Sequence, residues 1–175
     1  EPLAKLSKLL GFRVVVVDFF AKKEDFPTAD EVVSDDPDLA RLKITPRTFV
    51  AVTTRHKYDE HALKSALSFN PAYVGLVASA NRTEYIFKQI TSEGFSEEKL
   101  RRVHAPAGLD IGANTPEEIA LSILAEVVKV RRAGTGMSLV EVKRGMQPAT
   151  GAAVAPEIPS VQETSESRGR KPTVC

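Results

Sequence analysis

Apolar residues in this chain come in short runs separated by longer amphipathic stretches. "RVVVVD" (13–18) carries four consecutive valines, the pattern of a strand buried on both faces, as in a parallel sheet. "TFVAVTTR" and "AYVGLVAS" repeat it, and "ADEVVS" reads as a weaker, edge-like strand. Between them lie helical patterns. "PLAKLSKLLGF" places Leu3, Leu6, Leu9 and Leu10 on one face and stops at Gly11. "YDEHALKSALSF" and "NRTEYIFKQITSEGF" each follow a strand, and "SEEKLRRVH" predicts a short helix with His104 on its C-terminal dipole. Strands alternating with helices across polar turns predict a doubly wound α/β fold with a mostly parallel sheet over residues 1–133.

The last helix is predicted from Pro116 to Arg132. Thr115 is its N-cap, Pro116 its first residue, and Glu118 can complete a capping box. Ile119, Ile123, Val127 and Val130 form an apolar stripe with Leu124 and Val128 beside it, and Lys129, Arg131 and Arg132 suit the C-terminal dipole. Capping does not explain the two glycines in front of it, Gly108 and Gly112. They could supply positive φ angles, or let a ligand or the sheet come close. Asp110 between them could pair with the amidine-like edge of a guanine-type ring, or bond its own backbone in an Asx-turn.

Beyond Gly134 this alternation stops. Residues 134–175 are rich in Gly, Pro, Ser and Thr; "MSLVEV" predicts a short strand or a helical turn, and the last thirty or so residues read as a disordered, solvated tail. Composition adds constraints. With 175 residues, 42% hydrophobic and 27% charged, the chain suits one soluble domain with an appendage. A net charge of +1 makes no electrostatic case for nucleic acid or an anionic membrane as partner. The single cysteine, Cys175, excludes an internal disulfide or a cysteine metal cluster. No signal peptide or membrane-length apolar run is evident, so the expected compartment is a reducing cytoplasm.

In doubly wound sheets, ligands bind at the carboxyl ends of the strands. Asp18, after the valines, stands where a dinucleotide fold hydrogen-bonds a ribose diol; it could equally start the next turn. "TTRHKYD" offers Thr53, Thr54, Arg55, His56 and Lys57 as donors to a phosphate-bearing cofactor, with Asp59 to cap the next helix or orient His56. No nucleophilic Ser or Cys motif accompanies a His56–Asp59 pair, which argues against hydrolysis. His56 and His61 are five apart, which misses the spacing of a helical zinc pair. Tyr58, Tyr73 and Tyr85 read as core or interface aromatics rather than parts of a stacking platform. A dinucleotide fold also needs a first strand and a glycine-rich turn before its first helix, and Glu1-Pro2 already lies inside that helix. Truncation is the expected account, or a second chain supplies the strand, in which case homo-oligomers would form.

"LLGFRVVVVD", "HKYDEHALKSAL", "YVGLVAS" and above all "HAPAGLDIGANTPEEIALSILAEV" resemble the C-terminal Rossmann domain of the XdhC/CoxI family, in order and with matching spacing from Pro2 to Arg132. These are accessory proteins that mature xanthine dehydrogenase and related molybdenum hydroxylases. The resemblance implies that the chain binds molybdenum cofactor of the molybdopterin type, protects it while its sulfido ligand is installed, and hands it to an apo molybdenum hydroxylase. A sulfurtransferase would be a second partner, and the protein would be a chaperone without turnover of its own. Asp18, Thr53, Arg55, His56, Asp59, Ser79, Arg82, Asp110 and Gly112 are the cofactor-binding candidates. One turn departs from the family's Gly-Ser and basic cluster: it reads Ala78-Ser79-Ala80-Asn81-Arg82, with Arg82 as its only cation. The alternatives are an NAD(P)-binding oxidoreductase, for which Asp18 and the fold would speak, and an inactive remnant lacking its first strand.

Overall fold

The computed structural model describes residues 1–34, 39, 42–54, 58–146 and 172–174. The elements in chain order are α1 (Pro2–Leu9), β1 (Arg13–Val17), a 3-10 turn (Lys23–Asp25), β2 (Glu31–Val33), β3 (Thr48–Val52), α2 (Asp59–Ser68), β4 (Tyr73–Leu76), α3 (Ala80–Ser92), α4 (Glu97–Leu100), β5 (Val103–His104), α5 (Pro116–Arg132), α6 (Leu139–Lys143) and β6 (Thr173–Val174). The strands form one sheet in the order β2-β1-β6-β3-β4-β5, with every pair parallel.

Strand alternation divides the core between the two faces of this sheet. Val50, Val52, Val74 and Leu76 point to one side, where Leu63, Leu67, Ile86 and Ile90 of α2 and α3 cover them. Val14, Phe49, Tyr73 and Val174 point to the other, against Ala4 of α1 and Val127 and Val130 of α5. Burial on both faces of the sheet accounts for the unbroken valines of β1: Val14 and Val15 are both buried although they face opposite layers.

Two expectations about the chain's ends are corrected. The central sheet position next to β1 does have a strand, and it comes from this chain. Thr173 and Val174 pair with Arg13 and Val14 on one side and with Thr48 and Phe49 on the other, and the Arg13 amide donates to the Pro172 carbonyl at 2.8 Å. Residues 172–174 were expected in the solvated tail, but the facing edges of β1 and β3 offer backbone partners on both sides and an apolar floor, where Val174 is buried. Residues 147–171 of that tail lie outside the described residues. The face of α1 also differs. Ala4 and Ser7 are its buried residues while Leu9 is 82% exposed, because small side chains let α1 lie close against α5.

At α5 the local signals and the structure agree. Thr115 Oγ1 accepts from the Glu118 amide at 3.2 Å, and the Glu118 carboxylate accepts from the amides of Asn114 and Thr115 at 2.8 and 2.9 Å. Those bonds hold the Glu118 carboxyl below its ordinary value. Thr115→Ala is expected to lower stability by about 1 kcal/mol, readable as a lower urea midpoint with an unchanged slope. The apolar stripe is rotated from its predicted position. Ile119 and Val128 lie at its exposed margins, and the buried face runs through Ala120, Ile123, Leu124, Val127 and Val130 with two polar residues, Ser122 and Glu126.

Candidate functional site

The loops following β1, β3, β4 and β5 all leave the carboxyl edge of the sheet, and the candidate side chains lie along that edge. Four strand spacings separate β1 from β5, so the loop bearing Asp18 and the loop bearing Asp110 emerge about 19 Å apart.

The loop after β5 is held to α5 from below. Glu126 is 8% exposed and its carboxylate gathers three donors. The Tyr73 hydroxyl donates to Oε2 at 2.7 Å and the Gly108 amide to the same oxygen at 2.9 Å, while His104 Nδ1 lies 2.9 Å from Oε1. Burial raises the Glu126 carboxyl, but the bonds from His104, Gly108 and Tyr73 outweigh it and hold the group below its ordinary value. Burial and the facing carboxylate push the Tyr73 hydroxyl far up, so it stays a donor. Against an ionised acceptor, His104 Nδ1 carries a proton and donates. Gly75 makes this packing feasible: a Cβ there would lie 2.7 Å from Tyr73 Cε1. The expected helix-terminal role of His104 is therefore corrected, since α4 ends at Leu100 and His104 belongs to β5.

One turn earlier on α5, Ser122 holds the same loop at its next residue. Its hydroxyl donates to the Leu109 carbonyl at 2.5 Å, and the Leu109 amide donates to the Ser122 carbonyl at 3.2 Å. The two glycines thus serve different ends. Gly108 (φ +111°) combines a left-handed backbone with close approach, since a Cβ would collide with Ser122 Oγ and lie 3.3 Å from the Ile123 amide nitrogen. Gly112 (φ +70°) turns the chain in open space. Between them the exposed Asp110 carboxylate makes no hydrogen bond or ion pair among the described residues, so the Asx-turn reading does not hold for it. Asp110 borders an open cleft of about 310 Å³, walled by Leu109, Ile111 and Ile119 with Gly108 and Ser122 beneath. That is within the size range of small-molecule sites.

In the middle of the edge, the structure brings Thr54, Asp59 and Arg82 together. Asp59, 1% exposed at the start of α2, accepts from the Thr54 hydroxyl, and its other oxygen lies 3.4 Å from Arg82 Nε. The Arg82 guanidinium also lies over the Tyr85 ring, 5.1 Å from its centroid. Asp59 therefore ties β3, α2 and α3 to one another. Ser79 is the N-cap of α3, accepting from the Arg82 amide at 3.3 Å, and Thr53 is exposed beside this group. Arg55, His56 and Lys57 lie outside the described residues. Asp18 does bond its own turn, accepting from the Phe20 amide at 2.7 Å. No group of three or more His, Cys, Asp or Glu side chains among the described residues is placed to hold a metal ion.

A family model described as the XdhC Rossmann domain matches residues 1–127. The chain belongs to the XdhC Rossmann-domain family. An Escherichia coli (strain K12) protein named "Uncharacterized protein YqeB" is 34% identical over 140 residues, covering 77% of this chain and 26% of that relative. A Bacillus subtilis (strain 168) protein described as a probable xanthine dehydrogenase subunit is 33% identical over 137 residues, 75% of this chain and 39% of the relative. Among solved structures, a crystal structure titled as a xanthine dehydrogenase from Bacillus halodurans superposes with a TM-score of 0.62 at 28% identity, over 81% of this chain and 42% of the other. This XdhC domain thus spans between about a quarter and two-fifths of the length of these relatives.

Sequence reading of the XdhC domain missed the cluster beneath the loop. Tyr73, expected as a core or interface aromatic, is buried, yet its hydroxyl is a site contact; Glu126 was not singled out. The available signal was a carboxylate inside an otherwise apolar helical stripe, four residues after Ser122 and so on the same face. Among the described residues no helix is long and apolar enough to cross a membrane.

Proposed function

We propose that this XdhC domain is an accessory factor for a xanthine dehydrogenase-type molybdenum hydroxylase, and that it binds molybdenum cofactor along the carboxyl edge of its sheet. One observation carries the reading: a loop pinned to α5 at Gly108 and Leu109 holds an unengaged carboxylate, Asp110, beside an open cleft. Carboxylate oxygens match the amidine-like edge of a pterin, and Leu109, Ile111 and Ile119 offer apolar surface for its ring. The phosphate end suits the middle of the edge, where Ser79, the N-terminus of α3 and Arg82 lie. The spread of Asp110, Arg82 and Asp18 suits an extended ligand.

When bound, the cofactor brings the molybdenum chemistry, and this chain's residues bind, orient and shield it. Asp110 would set the orientation of the ring, and the bonds from Glu126 and Ser122 would keep Asp110 in place, so the loop is preorganised before binding. Installation of the sulfido ligand would fall to a sulfurtransferase, and the loaded domain would pass the cofactor to its apo-enzyme.

Equilibrium binding of molybdenum cofactor and of NADH to the full chain tests this reading. Saturable cofactor binding is expected, weakened about tenfold or more by Asp110→Ala, the scale of a lost charge-assisted hydrogen bond. A cooperatively folded sample that binds NADH and no molybdenum cofactor would overturn it in favour of an oxidoreductase.

A further inference from the structure

A second cavity opens where Pro71 and Ala72 lead into β4 and Arg102 leads into β5. Phe69 and Val130 give it apolar walls, and Lys99 and Arg102 give it two cations. Tyr73 and His104 also line it, with their bonds to Glu126 already made. No Asp or Glu lines it.

Neither cation has an acidic partner among the described residues. The Lys99 ammonium lies over the Phe95 ring, 5.8 Å from its centroid. Arg102 Nη2 donates to the Pro71 carbonyl at 3.4 Å, which leaves the rest of the guanidinium fork without a protein acceptor. Acids are at hand in α4, yet Glu97 pairs with Arg101 instead. Lys99 suits the C-terminal dipole of α4, but that helix is a single turn and Arg102 lies beyond its end.

Size decides what the cavity can hold. Its volume is about 30 Å³, a tenth of the cleft beside Asp110 and far below the usual range of small-molecule sites. About two water-sized groups fit, the bulk of a carboxylate head. Phe69 and Val130 stand ready for a short methylene stem, which a free inorganic anion would leave uncovered. We propose that this cavity is an anchor seat for one acidic side chain of a partner protein, with Lys99 and Arg102 donating to its carboxylate. The seat lies at the amino end of β4 and the Asp110 loop at the carboxyl edge, so a partner held there leaves the cofactor edge open. Anchoring at the seat is independent of cofactor binding.

Nuclear magnetic resonance of the isotope-labelled full chain tests the seat, with acetyl-Glu-Glu-Glu-amide, acetyl-Gln-Gln-Gln-amide and propionate added in separate titrations. The glutamate peptide is expected to give saturable shifts centred on the amides of Lys99, Arg102 and His104. It should bind about tenfold or more tighter than the glutamine peptide, the scale of a charge-assisted hydrogen bond. Lys99→Ala, at an exposed position, should lower that affinity about tenfold, and Lys99→Arg should retain most of it. Equal binding of the two peptides by the native chain overturns the seat whether or not the variants fold. So do the absence of saturable shifts at the cavity, shifts spread over the basic surface without that centre, and full affinity in Lys99→Ala. Propionate binding as tightly as the glutamate peptide overturns the partner protein in favour of a small free carboxylate.

Discussion

Glu126→Leu is expected to destabilise the domain by about 3 kcal/mol, a fall of roughly 6–12 °C in melting temperature for a chain of this size. Leucine is no smaller than glutamate, so the cost does not come from a cavity. It comes from what Glu126 leaves behind: the Tyr73 hydroxyl, buried in the core, and the Gly108 amide both lose their acceptor, and His104 loses its orienting partner. A buried polar group without a partner costs about 1–3 kcal/mol. Adding Tyr73→Phe to Glu126→Leu should recover part of the loss, because one orphaned hydroxyl is removed. A double-mutant cycle by urea denaturation reads this coupling, and simple additivity would show that the Tyr73–Glu126 bond contributes nothing.

The same carboxylate gives a signed pH dependence. Its value in the folded state lies below the ordinary one, so near that value the unfolded chain binds more protons than the folded chain, and stability rises with pH. The contribution is fully present above the unfolded value of about 4.3 and is lost as pH falls through the folded value. Exposed acids such as Glu118 and Glu141 shift in the same direction, but they titrate alike in native and variant proteins. The stability difference between native and Glu126→Gln proteins should therefore shrink on acidification below about pH 4.5. A difference that stays flat down to about pH 3 would refute the assignment.

The second large effect is expected at Gly108. Gly108→Ala should cost about 2–4 kcal/mol, combining a φ of +111° that side chains rarely adopt with the collision against Ser122. Gly112→Ala has only the left-handed backbone to satisfy, so its cost should stay near about 1 kcal/mol. The pair separates strain from close approach. Because Gly108 anchors the loop that carries Asp110, its alanine variant should also weaken the proposed molybdenum-cofactor binding at temperatures where it remains folded. Equal effects at the two glycines would show that the loop's seat on α5 is unimportant.

The sequence by itself determined what depends on neighbours along the chain. Alternating periodicity placed β1, β3, β4 and the helices between them, since a both-faces-buried strand and a one-sided helix leave different apolar spacings. The start of α5 was legible because its capping signals, Thr115, Pro116 and Glu118, lie within four residues of one another. Gly108 and Gly112 could be marked as conformationally special, and Asp110 as a polar residue held between them. The motif around them was enough to identify the family.

Only the tertiary structure decided what depends on residues brought together from afar. Tyr73 and Glu126 are 53 positions apart and meet because Gly75 leaves room for the Tyr73 ring against α5. The two glycines look alike in sequence, yet only Gly108 faces Ser122. Asp59 and Arg82 meet because two successive helices lie on the same face of the sheet. The rings of Phe19 and Tyr58 meet because β1 and β3 flank a common neighbour. Residues 172–174 carry almost no pattern to read as a strand. Their pairing is conferred by the open edges of β1 and β3, whose unsatisfied backbone groups favour any extended segment that can reach them.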